Sequence, residues 1–128
     1  ELSGCVKLKR IGMLMFYECR FLKSVVLPDG LKIVGVQAFA GTALEVVDFL
    51  PDSVEVLEIG AFIACPELQS VVLPASLQRV EDDVFCFCQK LEKVKLSSPS
   101  VDFHDEAFFN CTRIQCSTET KQSLVRSS

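Results

Sequence analysis

Residues 62–85 read FIACPELQSVVLPASLQRVEDDVF, and the closing Phe85 opens a second copy of what Phe62 began. Cys65 stands three residues after Phe62, and Cys88 three after Phe85. The same mark recurs along the chain. Phenylalanines occupy 16, 39, 62, 85 and 108, each 23 residues after the last, and each is followed at three residues by Cys19, Thr42, Cys65, Cys88 or Cys111. Pro28, Pro51 and Pro74 keep the same spacing. Between these marks lies an apolar skeleton: Leu22, Val25, Leu27, Leu31 and Val34 in one copy, and Leu68, Val71, Leu73, Leu77 and Val80 in another.

Written out, the pattern is F-x-x-C-x-x-L-x-x-V-x-L-P-x-x-L-x-x-V-x-x-x-x-F. The copy FAGTALEVVDFLP loses one residue before Leu44 and regains it before Pro51. In LEKVKLSSPSVDFHDEAF, Ser97 takes the place of the proline, and Pro99 follows two positions later. The opening LKRIGMLMF carries Leu8, Ile11 and Phe16 as the tail of an earlier copy. A unit this short cannot bury its apolar side alone, whereas stacked units bury a continuous core. The segments KSVVL, QSVVL and EKVKL are rich in β-branched residues and stop at Pro or Ser, so they predict short parallel strands. GLKIV and SLQRV predict a second extended stretch on the opposite side. GAFIAC and DVFCFC predict a helical turn or bend that returns the chain. The expected architecture is a solenoid of about five coils, with each Phe a core plug rather than a ligand platform.

These residues resemble the BspA-like leucine-rich repeat family, whose units follow the pattern AF..C..L..V.LP.SL..I. QAFAGTALEVVDFLPDSVEVLEIGAF and GAFIACPELQSVVLPASLQRV carry the likeness, which covers about residues 2–116. The chain therefore divides into a repeat domain over 1–116, with repeats starting near the five column phenylalanines, and a polar segment over 117–128 that reads as a cap or linker. The resemblance implies an arc-shaped, non-catalytic solenoid that binds proteins, of a kind common on bacterial and protozoan surfaces and in adhesins. It implies a cell-surface or secreted setting; the alternative, an intracellular scaffold subunit packed in a larger complex, rests on reading the seven cysteines as free thiols and on the missing leader.

Composition narrows the function classes. The chain has 128 residues and a net charge of −4, which argues against a general nucleic-acid binder. No apolar run reaches the ~20 residues of a membrane-spanning helix. Charge is distributed unevenly. Residues 1–35 carry six bases and three acids, 36–89 carry Arg79 against nine acids, and 90–128 carry six bases and five acids. A start at Glu1, with no Met and no leader, reads as a processed product or a fragment.

The candidates for chemistry are few. Seven cysteines admit free thiols, disulfides between neighbouring column positions, or zinc. Cys86-Phe87-Cys88 lacks zinc-knuckle spacing, and the odd count with the apolar setting of Cys19, Cys65, Cys88 and Cys111 favours free thiols. Cys5 and Cys116 lie off that column. His104 is the sole histidine, with no orienting partner legible in the sequence, so a catalytic cysteine has no base. Glu81, Asp82 and Asp83 lack the spacing of a calcium loop. Asn110-Cys111-Thr112 fits a glycosylation sequon. No phosphate loop or nucleophile elbow is present. The reading is no catalytic residue, no metal, no cofactor and a protein partner.

Alternation along the strands then assigns the working surface. Val25 and Leu27 point inward, and their neighbours point out. The outward set is Ser24, Val26, Val46, Asp48, Ser70, Val72, Lys93 and Lys95, apolar and neutral in the early coils and basic in the last full one.

Overall fold

The computed structural model describes residues 8–97, 100–104 and 106–111. Within them the chain winds through about four turns, with parallel strands on two sides. One side holds β1 (Arg10–Ile11), β2 (Ile33–Val34), β4 (Val56–Leu57), β6 (Arg79–Val80) and β8 (Asp102–Phe103), stacked in that order. The other holds β3 (Val46–Val47), β5 (Ser70–Leu73) and β7 (Lys93–Leu96). The expected solenoid and both of its extended sides are present.

Each strand is short because only one or two of its residues face the interior. In the five-stranded sheet these are Ile11, Val34, Leu57 and Val80, all fully buried. Leu31, Leu44, Leu68, Leu77 and Leu91 fill the space between the sheets. The prolines open turns: Leu31, Val54 and Leu77 donate their backbone N–H to the carbonyls of Pro28, Pro51 and Pro74, the last directly after β5.

The one-residue slip in the second copy leaves a visible scar. β5 and β7 pair with the 23-residue offset of the repeat, Ser70 to Lys93 and Leu73 to Leu96. β3 and β5 pair with an offset of 24, Val46 to Ser70 and Val47 to Val71. Pairing stops after Val47, where the regained residue is accommodated, and the Phe49 ring turns in to lie 6.1 Å from that of Phe39.

The returns are not helical. They are chains of tight turns, and the reason lies in the backbone. Every column phenylalanine is flanked at two residues on either side by a left-handed residue: Leu14 and Glu18, Gln37 and Gly41, Gly60 and Ala64, Asp83 and Phe87, Glu106 and Asn110. Eight of these ten are not glycine, and such a φ is costly for an L-residue. What it achieves is a switch in donor direction at each step. Met15, Tyr17 and Cys19 donate within their coil to Gly12, Leu14 and Phe16, while Leu14, Phe16 and Glu18 donate to Val36, Ala38 and Ala40 of the next coil. A helix would keep all of these bonds inside one coil. Here every second N–H fastens the stack.

Between the fastened turns the rings stack face to face. Successive centroids from Phe16 through Phe39, Phe62 and Phe85 to Phe108 lie 5.1, 5.1, 5.6 and 5.2 Å apart, with interplanar angles of 16° or less. Phe39, Phe62 and Phe85 are wholly buried, so the rings are core plugs and not a platform.

Two substitutions test this account. Phe62→Ala removes a ring from the middle of the stack and is expected to cost ~3–5 kcal/mol, read as a lower urea midpoint. Ala64→Gly relieves a left-handed alanine at φ 55° and is expected to stabilise by about 0.5–1 kcal/mol. A loss of stability in the glycine variant would show that the turn carries no backbone strain.

Candidate functional site

The three-stranded ladder positions the outward side chains in rows. Register places Val46, Ser70 and Lys93 side by side in one row, and Val72 beside Lys95 in the next. Asp48 follows Val46 at the alternate position and is exposed, which extends the second row into the second copy. Val46 is 42% exposed and Val72 36%, whereas their inward neighbours Val47 and Val71 are buried. Ser24 and Val26 are also exposed, Val26 at 58%. Their segment, however, forms no strand and is tied to the second copy by one bond, from the Ala43 N–H to the Leu22 carbonyl at 3.1 Å. The residue lost before Leu44 shifts that copy against the first, so the ladder starts at Val46 and not at Ser24.

The outward charge runs from negative on the second copy to positive on the fourth, with an uncharged pair between. Glu45 and Asp48 belong to the second copy, Ser70 and Val72 to the third, Lys93 and Lys95 to the fourth. Among the described residues none of these four charged side chains has an ion-pair or hydrogen-bond partner. Elsewhere several bases are matched across or within coils: Arg10 with Glu58 at 2.7 Å, Lys32 with Glu55 at 3.4 Å, Arg79 with Glu81 at 3.1 Å, and Lys90 with Glu67 at 2.9 Å. Glu45 escapes the alternation rule because it precedes the strand. The signal that could have found it is chemical, since an unpaired carboxylate does not go inside.

The cysteine column has a structural purpose. The Cys65 and Cys88 thiols donate to the carbonyls of Phe39 and Phe62 at 3.3 Å, and Cys111 to that of Phe85 at 2.9 Å. Each thiol thereby satisfies the carbonyl of the phenylalanine one coil earlier. Thr42 fills the same column, its hydroxyl 3.5 Å from the Cys65 sulfur. Cys19 is exposed, contrary to the buried setting expected for the whole column.

Their acidities follow. Burial, reinforced by Asp83 and Glu106, pushes the Cys86 thiol up to about 11, and burial takes Cys111 to about 12. The neighbouring Cys65 sulfur and burial hold Cys88 well above the usual thiol range, while the nearby Cys88 thiol lowers Cys65. Both are closed off from solvent, so no attacking thiolate is presented.

His104 does have an orienting partner. Its Nδ1 lies 2.7 Å from an Asp82 carboxylate oxygen, a contact spanning adjacent coils that no sequence spacing announces. The pair is exposed. No nucleophile joins it among the hydrogen bonds of the described residues. Glu81 is taken by Arg79, and no group of three or more His, Cys, Asp or Glu side chains that could hold a metal occurs among the described residues. A shallow cleft lies beside Glu18, Arg20, Thr42, Ala64 and Glu67, but Glu18 is paired with Arg20 and Glu67 with Lys90. Asn110 of the sequon is exposed on the last of the described returns; Thr112, Cys5, Cys116 and the 117–128 segment lie outside the described residues.

With this geometry in view, comparison with known proteins identifies the class. The profile described as BspA type leucine rich repeat region matches residues 5–121 in six copies, and the chain belongs to that family. It is similar to a leucine rich cell surface protein from Faecalibacterium prausnitzii, at 26% identity and a TM-score of 0.79, over 94% of this chain and 33% of that one. It is also similar to a leucine rich repeat protein of T. pallidum, at 29% identity and 0.76, over 94% and 56%. A third likeness is to a leucine-rich repeat protein from Bacteroides ovatus, at 33% identity and 0.55, over 77% and 32%. The chain thus spans between a third and somewhat over half of these proteins' lengths. A search of curated proteins finds no match. Solenoids of this family are typically non-catalytic and generally mediate protein–protein interaction. No helix among the described residues is long and apolar enough to cross a membrane.

Two measurements test the thiols. Alkylation at pH 8, mapped by mass spectrometry, is expected to label Cys19 well before Cys65, Cys86 and Cys88. Stability should also fall as pH rises above 9: the unfolded chain loses the Cys86 and Cys111 protons there, while the fold keeps them to about 11 and 12. The pair of changes Cys86→Ser and Cys111→Ser is expected to flatten that fall. An unchanged slope would show that neither thiol is linked to folding.

Proposed function

We propose that the chain is a non-catalytic protein-interaction module, working through the strand-ladder face formed by Ser24, Val26, Val46, Asp48, Ser70, Val72, Lys93 and Lys95, in surface recognition or adhesion. The observation that carries this reading is the combination of exposed valines with unmatched charges on one face. A β-branched residue stabilises a strand wherever it stands, so exposed valine alone says little. Valines flanked by charges with no partner inside the fold form the composition of an interaction patch: apolar area to bury and polar groups to orient. The surface setting is supported by the similar F. prausnitzii protein, which is described as a cell surface protein.

The test uses two double variants, Lys93→Glu with Lys95→Glu and Val26→Asp with Val72→Asp, each verified as folded by circular dichroism. Immobilised protein is exposed to extract from its native source, and the retained proteins are quantified by mass spectrometry. Loss of the specifically retained proteins in both variants is the expected outcome. If both folded variants retain the same proteins as the parent chain, the ladder face is not the working surface.

A further inference from the structure

We infer that the ladder face selects a partner helix whose exposed stripe carries a base, then apolar residues, then an acid. This rests on the ladder-face reading and adds to it the chemistry of the partner. The Asp48 carboxylate stands on the second copy with Glu45 just before its strand, the uncharged Ser70 and Val72 on the third, and the ammonium groups Lys93 and Lys95 on the fourth, where Glu92 precedes the strand as Glu45 does. Asp48, Lys93 and Lys95 are unmatched among the described residues, so the second copy keeps a net negative charge on this face and the fourth a net positive one. A partner of one sign would gain at one end and lose at the other. The complement is a partner that itself changes sign, with basic groups over the second copy, acidic groups over the fourth, and an apolar middle over Val72.

Spacing selects the conformation. The outer two strands lie two strand spacings apart, about 9.5 Å. A helix rises about 10.5 Å over seven residues and returns to the same face, with the intervening third and fourth residues also on that face. An extended strand covers the distance in about three residues and points the two ends to opposite sides. A polyproline segment also returns after three residues, but such segments dock against aromatic-lined grooves, and this face carries valines.

The experiment measures fluorescence anisotropy of three labelled helical peptides. Each has leucines in the middle of one stripe, with charges seven residues apart of type Lys/Glu, Lys/Lys or Glu/Glu. The parent chain is expected to bind the Lys/Glu peptide about fivefold more tightly than either like-charged peptide, and less so at high salt. The Lys93→Glu and Lys95→Glu variant, with both ends of its face acidic, is expected to prefer the Lys/Lys peptide. Equal binding of all three, absence of binding, or preferences unchanged by the variant would overturn the inference. So would sedimentation showing that the parent chain dimerises and the Val26→Asp, Val72→Asp variant does not, because the occupant would then be a second copy. If the native partners are lost in the valine variant while the peptides show no charge preference, the face stands and the charge order falls.

Discussion

Everything in this molecule depends on how one coil is fastened to the next. Two short sheets alone would hold the stack loosely, since most strands span only two residues. The returns make up the difference. A left-handed residue on each side of every column phenylalanine sends alternate N–H groups along the axis, so the return segment contributes its own ladder of bonds between coils. That arrangement holds the stacked rings at about 5 Å, near the ~4.7–4.9 Å that parallel strands impose. The 23-residue period is thus the length at which strand, turn and ring spacing agree. A residue lost early in a coil and regained later must be absorbed in between, and the second copy absorbs it by cutting β3 short after Val47.

The same constraint explains the cysteines. A tight return leaves the phenylalanine carbonyl facing the interior, where an unmet acceptor is expensive. A small side chain with a weak donor, placed three residues after the next phenylalanine, reaches it without displacing apolar neighbours. Thr42 shows that the position accepts a hydroxyl, which here lies 3.5 Å from the Cys65 sulfur. The thiols are therefore part of the packing, which accounts for their regular spacing without invoking metal or catalysis.

The inward half of this structure was legible and the outward half only partly so, for a physical reason. A residue facing the stack sees copies of itself above and below, so Phe39, Phe62 and Phe85, or Val34, Leu57 and Val80, repeat and betray the fold. Alternation also located most outward residues of the ladder. It failed at three places where geometry does not follow from period. The left-handed backbone is invisible when only Gly41 and Gly60 mark it and the other eight positions carry ordinary side chains. Ser24 and Val26 lie beyond the slip, so their row never pairs. His104 meets Asp82 across 22 residues, a meeting created by stacking that neither residue announces.

Comparison of the copies within this one chain separates what the fold demands from what it leaves open. Inward columns scarcely vary, because a smaller or polar side chain there opens a void or strands a dipole between two neighbours. The outward columns run Val46, Ser70, Lys93 and Asp48, Val72, Lys95, with no residue repeated within either. Freedom from packing explains why they differ but not why the difference is ordered. Random drift would scatter charge, and a fold selecting only for stability would match acid against base between neighbouring coils, as it does at Lys32 with Glu55 and at Lys90 with Glu67. On the outward rows Asp48 is instead separated from Lys93 and Lys95 by the uncharged Ser70 and Val72 of the intervening strand. A face that keeps its opposite charges apart gives up internal pairing worth less than ~1 kcal/mol at an exposed site. In return it presents both charges to whatever lies across it.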